Sequence, residues 1–309
     1  MRLRSFSQAS VALLFLCCLS IASGQDSVRI ATYNVENYLD LAGGGRKAKP
    51  EESKAKIREM IQALNADVVA LQEMGSTNAL LELRASLKKS GVDYPHWEHI
   101  TGYDTNIHVA VLSKYPFSAR RSHTKDNFLL SGRRFQISRG FLEVDVQVKP
   151  DYSFTLLSAH LKSKRPVSYA DQAEFRLEEA KLLREKVDAR FAANPNANII
   201  VLGDFNDTKD ASSTRAVIGR GKTALIDTRP AEKNGDNIPA ERSGYDPRNI
   251  SWTHFYGKED SYSRIDYILI SPGMAREWIK EETYIPNIAN WGLGSDHRPI
   301  VATFSATDK

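Results

Sequence analysis

Cysteine is almost missing from this chain. Its 309 residues hold two, Cys17 and Cys18, both inside one apolar N-terminal stretch. The remainder has no disulfide framework, so its stability must come from a large core. Long apolar runs are also scarce. The one candidate, "VALLFLCCLSIA" from Val11 to Ala22, has 12 residues, too few to span a bilayer. Charge of one sign is lacking too. With 42 Lys and Arg against 38 Asp and Glu, the net charge is only +4, which excludes a polycation that binds through bulk charge. There is no repeat and no low-complexity tract. A nucleotide phosphate loop is absent as well: "GRGKT" at Gly219–Thr223 resembles the end of one, but Ala216 stands where its leading glycine is required.

Arg2 and Arg4, the apolar run and the small residues Ala22 and Gly24 follow one another without an acid. That is the layout of a secretory signal peptide over residues 1–24, and it implies a secreted or periplasmic protein. Residues 25–309 are then expected to form a single catalytic domain, monomeric, free of cysteine and of any transmembrane segment, with charge +2 once Arg2 and Arg4 are gone (4 − 2).

Strand and helix patterns interleave along that domain. "VRIATYN", "DVVALQEM", "IHVAVLSKYP", "FTLLSAHL", "NIIVLGD", "SRIDYILIS" and "RPIVATF" read as strands, several apolar throughout. "FLEVDVQV" alternates, with Leu142, Val144, Val146 and Val148 on one face. "EESKAKIREMIQAL", "TNALLELRASLKKSG" (capped at Thr77) and a long stretch from about Tyr169 to Ala193 carry helical periodicity, and a short helix is expected near "SSTRAVIG". "LAGGGRKAKPEESK" and residues 230–249 read as loops. The mixture predicts an α/β fold of two packed mixed β-sheets flanked by helices, a four-layer sandwich. Lys114, Arg120, Arg121, Lys125, Arg133, Arg134 and Arg139 face one acid, Asp126, within a single segment, which predicts a basic face able to meet a polyanion.

Chemistry concentrates at strand ends. "ATYNVEN" ends in Asn34, "VVALQEM" in Glu73, "TLLSAHLKSK" in His160 with Lys162 and Lys164 beyond, and "IIVLGDFND" in Asp204 and Asn206. "SRIDYILIS" opens with Arg264 and Asp266, and Asp296 and His297 precede the last strand. One such end suits a turn. Together they make a set of carboxylates, amides and imidazoles that can hold a hard divalent cation and still leave an acid and a base.

These blocks, "TYNVEN", "LQE", "AHLKS", "GDFND", "RIDYIL" and "GSDHRPI", resemble in order and spacing the endonuclease/exonuclease/phosphatase superfamily with its DNase I-like fold. The resemblance implies a metal-dependent phosphoric ester hydrolase. It assigns Glu73, helped by Asn34 and Asp296, to Mg²⁺ (or Mn²⁺ or Ca²⁺). It assigns catalysis to His160, Asp204, Asn206, Asp266 and His297, with Asp266 orienting His297 for work on the water or the phosphate. Candidate substrate contacts are Lys162, Arg139 and Arg264. Nucleic acid is the leading substrate, by virtue of the basic segment; a phospholipid such as sphingomyelin, or a small phosphoester, is the alternative, and a non-catalytic phosphate binder is a remote one.

Overall fold

The computed structural model describes residues 27–233 and 250–309; the expected signal peptide and most of the expected loop at 230–249 lie outside them. In chain order the strands are β1 (Ser27–Tyr38), β2 (Val68–Met74), β3 (His96–Ile100), β4 (His108–Ser113), β5 (Phe117–Arg120), β6 (Asn127–Leu130), β7 (Arg133–Gln136), β8 (Phe141–Lys149), β9 (Tyr152–His160), β10 (Ile199–Asp204), β11 (Ile226–Asp227), β12 (His254–Tyr256), β13 (Ser261–Ser263), β14 (Asp266–Ile270), β15 (Trp278–Tyr284) and β16 (Ile300–Ser305). The helices are α1 (Glu51–Leu64), α2 (Thr77–Lys89), α3 (Gln172–Ala193) and α4 (Ser212–Ile218).

Two six-stranded sheets carry the fold, ordered β15-β16-β1-β2-β4-β3 and β11-β14-β10-β9-β8-β5. Each contains one parallel pair, β1 with β2 and β9 with β10, and each parallel pair is flanked by antiparallel partners. A parallel pair needs a crossover, and α1 and α3 supply them. β6–β7 and β12–β13 are separate two-stranded ribbons.

Alternation along the strands builds three apolar layers. Val28 and Ile30 of β1, Val68 and Ala70 of β2, Leu142, Val144 and Val146 of β8, and Ile200 and Leu202 of β10 meet between the sheets. The opposite faces, Ala31, Tyr33, Val69 and Leu71, take Ile57, Met60, Ile61 and Leu64 of α1 and Leu80, Leu83 and Leu87 of α2. Leu157, Ala159, Ile199 and Val201 take Phe175, Ala180, Leu183, Val187 and Phe191 of α3. Burying each such side chain contributes roughly 1.5–3 kcal/mol, so a core of this extent needs no disulfide. The helix–sheet–sheet–helix sandwich expected from the sequence is the fold observed.

Two local expectations shift. The cap of α2 is Ser76, whose hydroxyl accepts the Ala79 N–H at 3.2 Å, rather than Thr77. The basic segment does not form a free basic face. Lys114 pairs with Asp67, Arg120 with Glu98, and Arg121 with the buried Glu143 and with Asp145. Their acids lie outside the segment and were brought in by sheet pairing. Lys125, Arg133 and Arg134 remain exposed.

Candidate active site

Strand direction decides where the polar ends gather. The carboxyl ends of β1 and β2 carry Asn34 and Glu73; those of β9 and β10 carry His160 and Asp204. β14 runs antiparallel to β10, so its first residue, Asp266, is the register partner of Asp204. β16 runs antiparallel to β1, so the segment leading into it, with Asp296 and His297, arrives beside the end of β1. The residues therefore collect at one rim of the sandwich, outside the carboxyl ends of both parallel pairs, where open α/β sheets place their ligands. Beneath them, Thr32 donates to Gln72 at 3.0 Å and Gln72 to Ser158 at 3.3 Å, a polar tie between the two sheets.

Asp204 Oδ2 is the hub. It accepts from Asn34 Nδ2 at 2.9 Å and Asn206 Nδ2 at 3.3 Å, and lies 3.4 Å from His160 Nε2 and 3.8 Å from His297 Nε2. Its other oxygen accepts the Asn206 backbone N–H at 2.8 Å. His297 Nδ1 meets Asp266 Oδ2 at 2.8 Å, which fixes the ring and turns Nε2 toward Asp204. Asp266 is held in turn by Thr253, whose hydroxyl accepts the N–H groups of Ile265 and Asp266. Ser295 ties the two sides together: its hydroxyl donates to the Asn34 carbonyl at 2.7 Å and accepts the His297 N–H at 3.0 Å.

Several of these positions are strained. Glu36, Asn37, Glu73 and Asn206 have φ of 41°, 50°, 60° and 55°. Left-handed backbone at non-glycine residues costs on the order of 1–3 kcal/mol each and persists where surrounding structure imposes it. At Glu73 the cause is visible: its Oε2 accepts the Asn37 N–H at 3.0 Å, which leaves Oε1 facing the site, 3.9 Å from His160 Nε2.

Burial and charge separate the titrating groups. Burial alone would push the His297 imidazole down, but the carboxylates of Asp266, Asp204 and Asp296 override it and hold it well above the ordinary histidine range. Burial, opposed by His297 and reinforced by Asp266, pushes Asp204 up to about 7. His160 is driven well below its ordinary value by burial and by the cations of Arg139, His297, Arg46 and Lys162. At neutral pH the site thus holds a charged His297, a neutral His160 and an Asp204 poised to exchange a proton.

Arg139 and Lys162 join the rim. Arg139 is buried and donates to the Leu161 carbonyl at 3.2 Å, and Arg46 and Arg139 share Asp104, at 3.7 and 3.8 Å. Arg264 is not brought into this group. Its guanidinium makes two hydrogen bonds to Asp227, at 3.0 and 2.6 Å, and stacks on Tyr267. β14 begins at Asp266, so Arg264 precedes the strand and turns to a different partner. Asp207, the third polar residue of "GDFND", is likewise structural, accepting from Arg176 and Ser213.

The sequence reading missed Glu36, Lys49, Arg46 and Asp104. Glu36 had a signal: it stands two residues beyond Asn34 on one strand, hence on the same side. Lys49 had none. It comes from the loop after β1, its ammonium 3.7 Å from Glu36 Oε2, and it feels the charges of Glu36, Asp296 and Glu73. A buried cation among three carboxylates marks this corner as built for positive charge. Glu73, Asn34 and Asp296 offer oxygen donors only, the set that suits Mg²⁺ or a similarly hard divalent ion.

A family model described as "Endonuclease/Exonuclease/phosphatase family" matches residues 31–297. The chain belongs to this family. Its members are metal-dependent phosphoric ester hydrolases, and the chain is one of them by that membership. Solved structures share the fold. A truncated TDP2 from Caenorhabditis elegans aligns with TM-score 0.57 and 18% identity over 91% of this chain and 98% of its own. The human nocturnin catalytic domain with bound sulfate gives 0.60 and 15% over 92% and 96%. Sphingomyelinase C from Streptomyces griseocarneus gives 0.57 and 19% over 91% and 100%. A search of curated proteins found no match. Among the described residues, no helix is long and apolar enough to cross a membrane.

Proposed function

We propose that this endonuclease/exonuclease/phosphatase member is an exported, metal-dependent phosphodiesterase that hydrolyses nucleic acid, acting through one catalytic domain over residues 25–309. The observation that carries the hydrolytic half is the hub at Asp204: a buried carboxylate poised near neutrality, between a charged imidazole, a neutral imidazole and two amides.

Glu73, Asn34 and Asp296 would hold the divalent ion, which when bound polarises a non-bridging phosphate oxygen and stabilises the charge that develops on it. Asp204 takes the proton of the attacking water. His297, already protonated, is the poorer base; it stabilises the charged phosphate and gives its proton to the departing alkoxide as the ester P–O bond breaks. Asp204 has then gained one proton and His297 lost one; the two groups stand 3.8 Å apart, so a water between them or exchange with solvent restores both. The sequence reading left the His–Asp pair to act on the water or on the phosphate; this division gives it the phosphate and the leaving group. His160, neutral and wedged between Glu73 and Asp204, offers its N–H to a phosphate oxygen. Asn206 braces the site by donating to the Leu161 carbonyl at 3.0 Å. Arg139 and Lys162 contribute the adjacent positive field.

Nucleic acid is favoured over lipid by what is exposed. Tyr103 lies on the loop that carries Asp104, and Tyr256 and Tyr262 lie on the β12–β13 ribbon that carries His254, each 40% exposed or more. Aromatic rings beside cations suit stacked bases and their phosphates. The β6–β7 hairpin exposes Leu129 but also Arg133 and Arg134, and it packs Phe128 and Phe135 inward on Phe175 of α3 instead of presenting them to a membrane.

The test is hydrolysis of plasmid DNA, RNA, sphingomyelin vesicles and bis-p-nitrophenyl phosphate with Mg²⁺, Mn²⁺ or Ca²⁺ against EDTA, with His297→Ala as control. Metal-dependent cleavage of plasmid or RNA, lost in the variant, is expected. Cleavage of vesicles alone would overturn the substrate; silence throughout would overturn the hydrolase.

A further inference from the structure

We propose that His254, Asp296 and His297 form a second cation site, selective for a nitrogen-preferring transition metal such as Zn²⁺, whose filling takes the His297 imidazole out of service. The inhibitory half rests on the role given to His297 above; the binding half does not.

His254 Nε2 lies 3.6 Å from Asp296 Oδ2, and His297 Nε2 lies 3.9 Å from Asp296 Oδ1. One donor atom from each of the three falls within 4.8 Å of the other two. Four-coordinate zinc with bonds of roughly 2.0–2.1 Å sets its donors about 3.3 Å apart, so a modest closing movement completes the site. The backbone is already fixed for it. His254 and His297 form an antiparallel bridge, the Phe255 N–H donates to the Asp296 carbonyl at 3.0 Å, and the Arg298 N–H to the Thr253 carbonyl at 2.6 Å. The two rings pack with centroids 4.6 Å apart. His254 is part-exposed, so it has freedom to swing.

The donor chemistry differs from that of the neighbouring oxygen site. Two imidazoles and a carboxylate favour zinc, copper or nickel, while magnesium prefers oxygen and its own water. His297 is dressed as such a ligand: Asp266 holds Nδ1, which orients the ring and leaves Nε2 free to bind, the carboxylate–histidine arrangement that supports metal-bound histidines. Nε2 is also the atom aimed at Asp204. Metal on Nε2 occupies the one ring atom that faces Asp204, 3.8 Å away, and engages Asp296 as well. His254 contributes nothing to that oxygen set, so its presence makes the second site selective.

The experiment is calorimetric titration of Zn²⁺ into the purified chain at saturating Mg²⁺, repeated on His254→Phe, which keeps a ring against His297, and on His254→Gln. One ion per chain is expected, at least tenfold weaker in both variants. Imidazole nitrogen NMR should show Nε2 of His254 and His297 moving together, and Co²⁺ should give a tetrahedral visible spectrum only in the unmutated protein. Equal affinity in all three proteins, or unmoved Nε2 resonances, would overturn the site whatever the chain hydrolyses. If zinc binds through His254 and leaves magnesium-supported turnover intact, the inhibitory half is overturned. If the chain hydrolyses nothing, the functional reading fails and takes the inhibitory half with it, while the binding measurements still decide the site.

Discussion

Asp204 and Asp266 are register partners across β10 and β14, and one imidazole, that of His297, mediates between their charges, bonded to the second and 3.8 Å from the first. Burial and the neighbouring Asp266 both disfavour charge on Asp204, and His297 opposes them. The pair therefore divides the labour: Asp266 stays bound to the ring, and Asp204 holds or releases the mobile proton.

That division sets the pH profile. A base must be deprotonated to work, and Asp204 is pushed up to about 7. kcat/KM should therefore fall as pH drops through about 7, approaching tenfold per pH unit below it. Asp204→Asn should lose roughly 10²–10⁴-fold, the usual worth of a positioned base, and the acid limb with it. A stopped-assay pH series on a chromogenic diester reads both.

Asp266→Asn should lower activity by roughly 10²-fold or more, because a neutral amide accepts less well from the His297 ring and no longer favours its charged form. The sign of the titration follows. His297 lies above its ordinary value because carboxylates favour its charged form, so it stabilises the fold fully below about pH 6.5. That contribution is lost as pH rises through the folded value. Removing Asp266 should move this loss to lower pH, visible as a downward shift of the His297 ring resonance titration.

Metal should stabilise the protein as well as activate it. A ligand at 100 times its dissociation constant adds about 2.7 kcal/mol. Mg²⁺ should raise the melting temperature of the unmutated chain and leave that of Glu73→Gln unmoved, with EDTA reversing the first effect.

Arg139 and Arg264 should part company. Arg139→Ala should raise KM and, because its buried guanidinium donates to the Leu161 carbonyl, also lower the melting temperature. Arg264→Ala leaves the part-buried Asp227 without its guanidinium, costs roughly 1–3 kcal/mol of stability, and should leave KM alone. Melting curves beside Michaelis curves for the two variants separate the roles.

Gly203→Ala should be severe although it adds one methyl. Gly203 has φ of 128°, and a Cβ there would stand 2.0 Å from the Ala159 carbonyl oxygen. β9 and β10 would be forced apart where His160 and Asp204 meet, so turnover should fall further than thermal stability does.

Much of this was legible because apolar strands announce themselves and polar residues at their ends stand out. Asn34, Glu73, His160, Asp204, Asp266 and His297 were all readable in that way, and strand direction explains why they meet. Edge strands were harder: "HWEHI" and "WIKEETY" mix polar and apolar residues because only one side of each is covered. Arg264 misled because its partner, Asp227, lies 37 residues away on β11. The basic segment misled for the same reason, since Asp67, Glu98, Glu143 and Asp145 reach it through pairing that no local pattern encodes. Lys49 and Arg46 sit in a glycine-rich loop whose path is set by what it packs on.

Asn34 and Glu73 ride one sheet; His160, Asp204 and Asp266 ride the other. The reaction centre is therefore a joint between two stiff plates, and its alignment is a mechanical property of the layer that glues them. A slip of a few tenths of an ångström between the plates would leave every strand and helix intact and still disengage the chemistry. The enzyme should fail on warming as a misaligned hinge fails, losing turnover while its secondary structure is still whole.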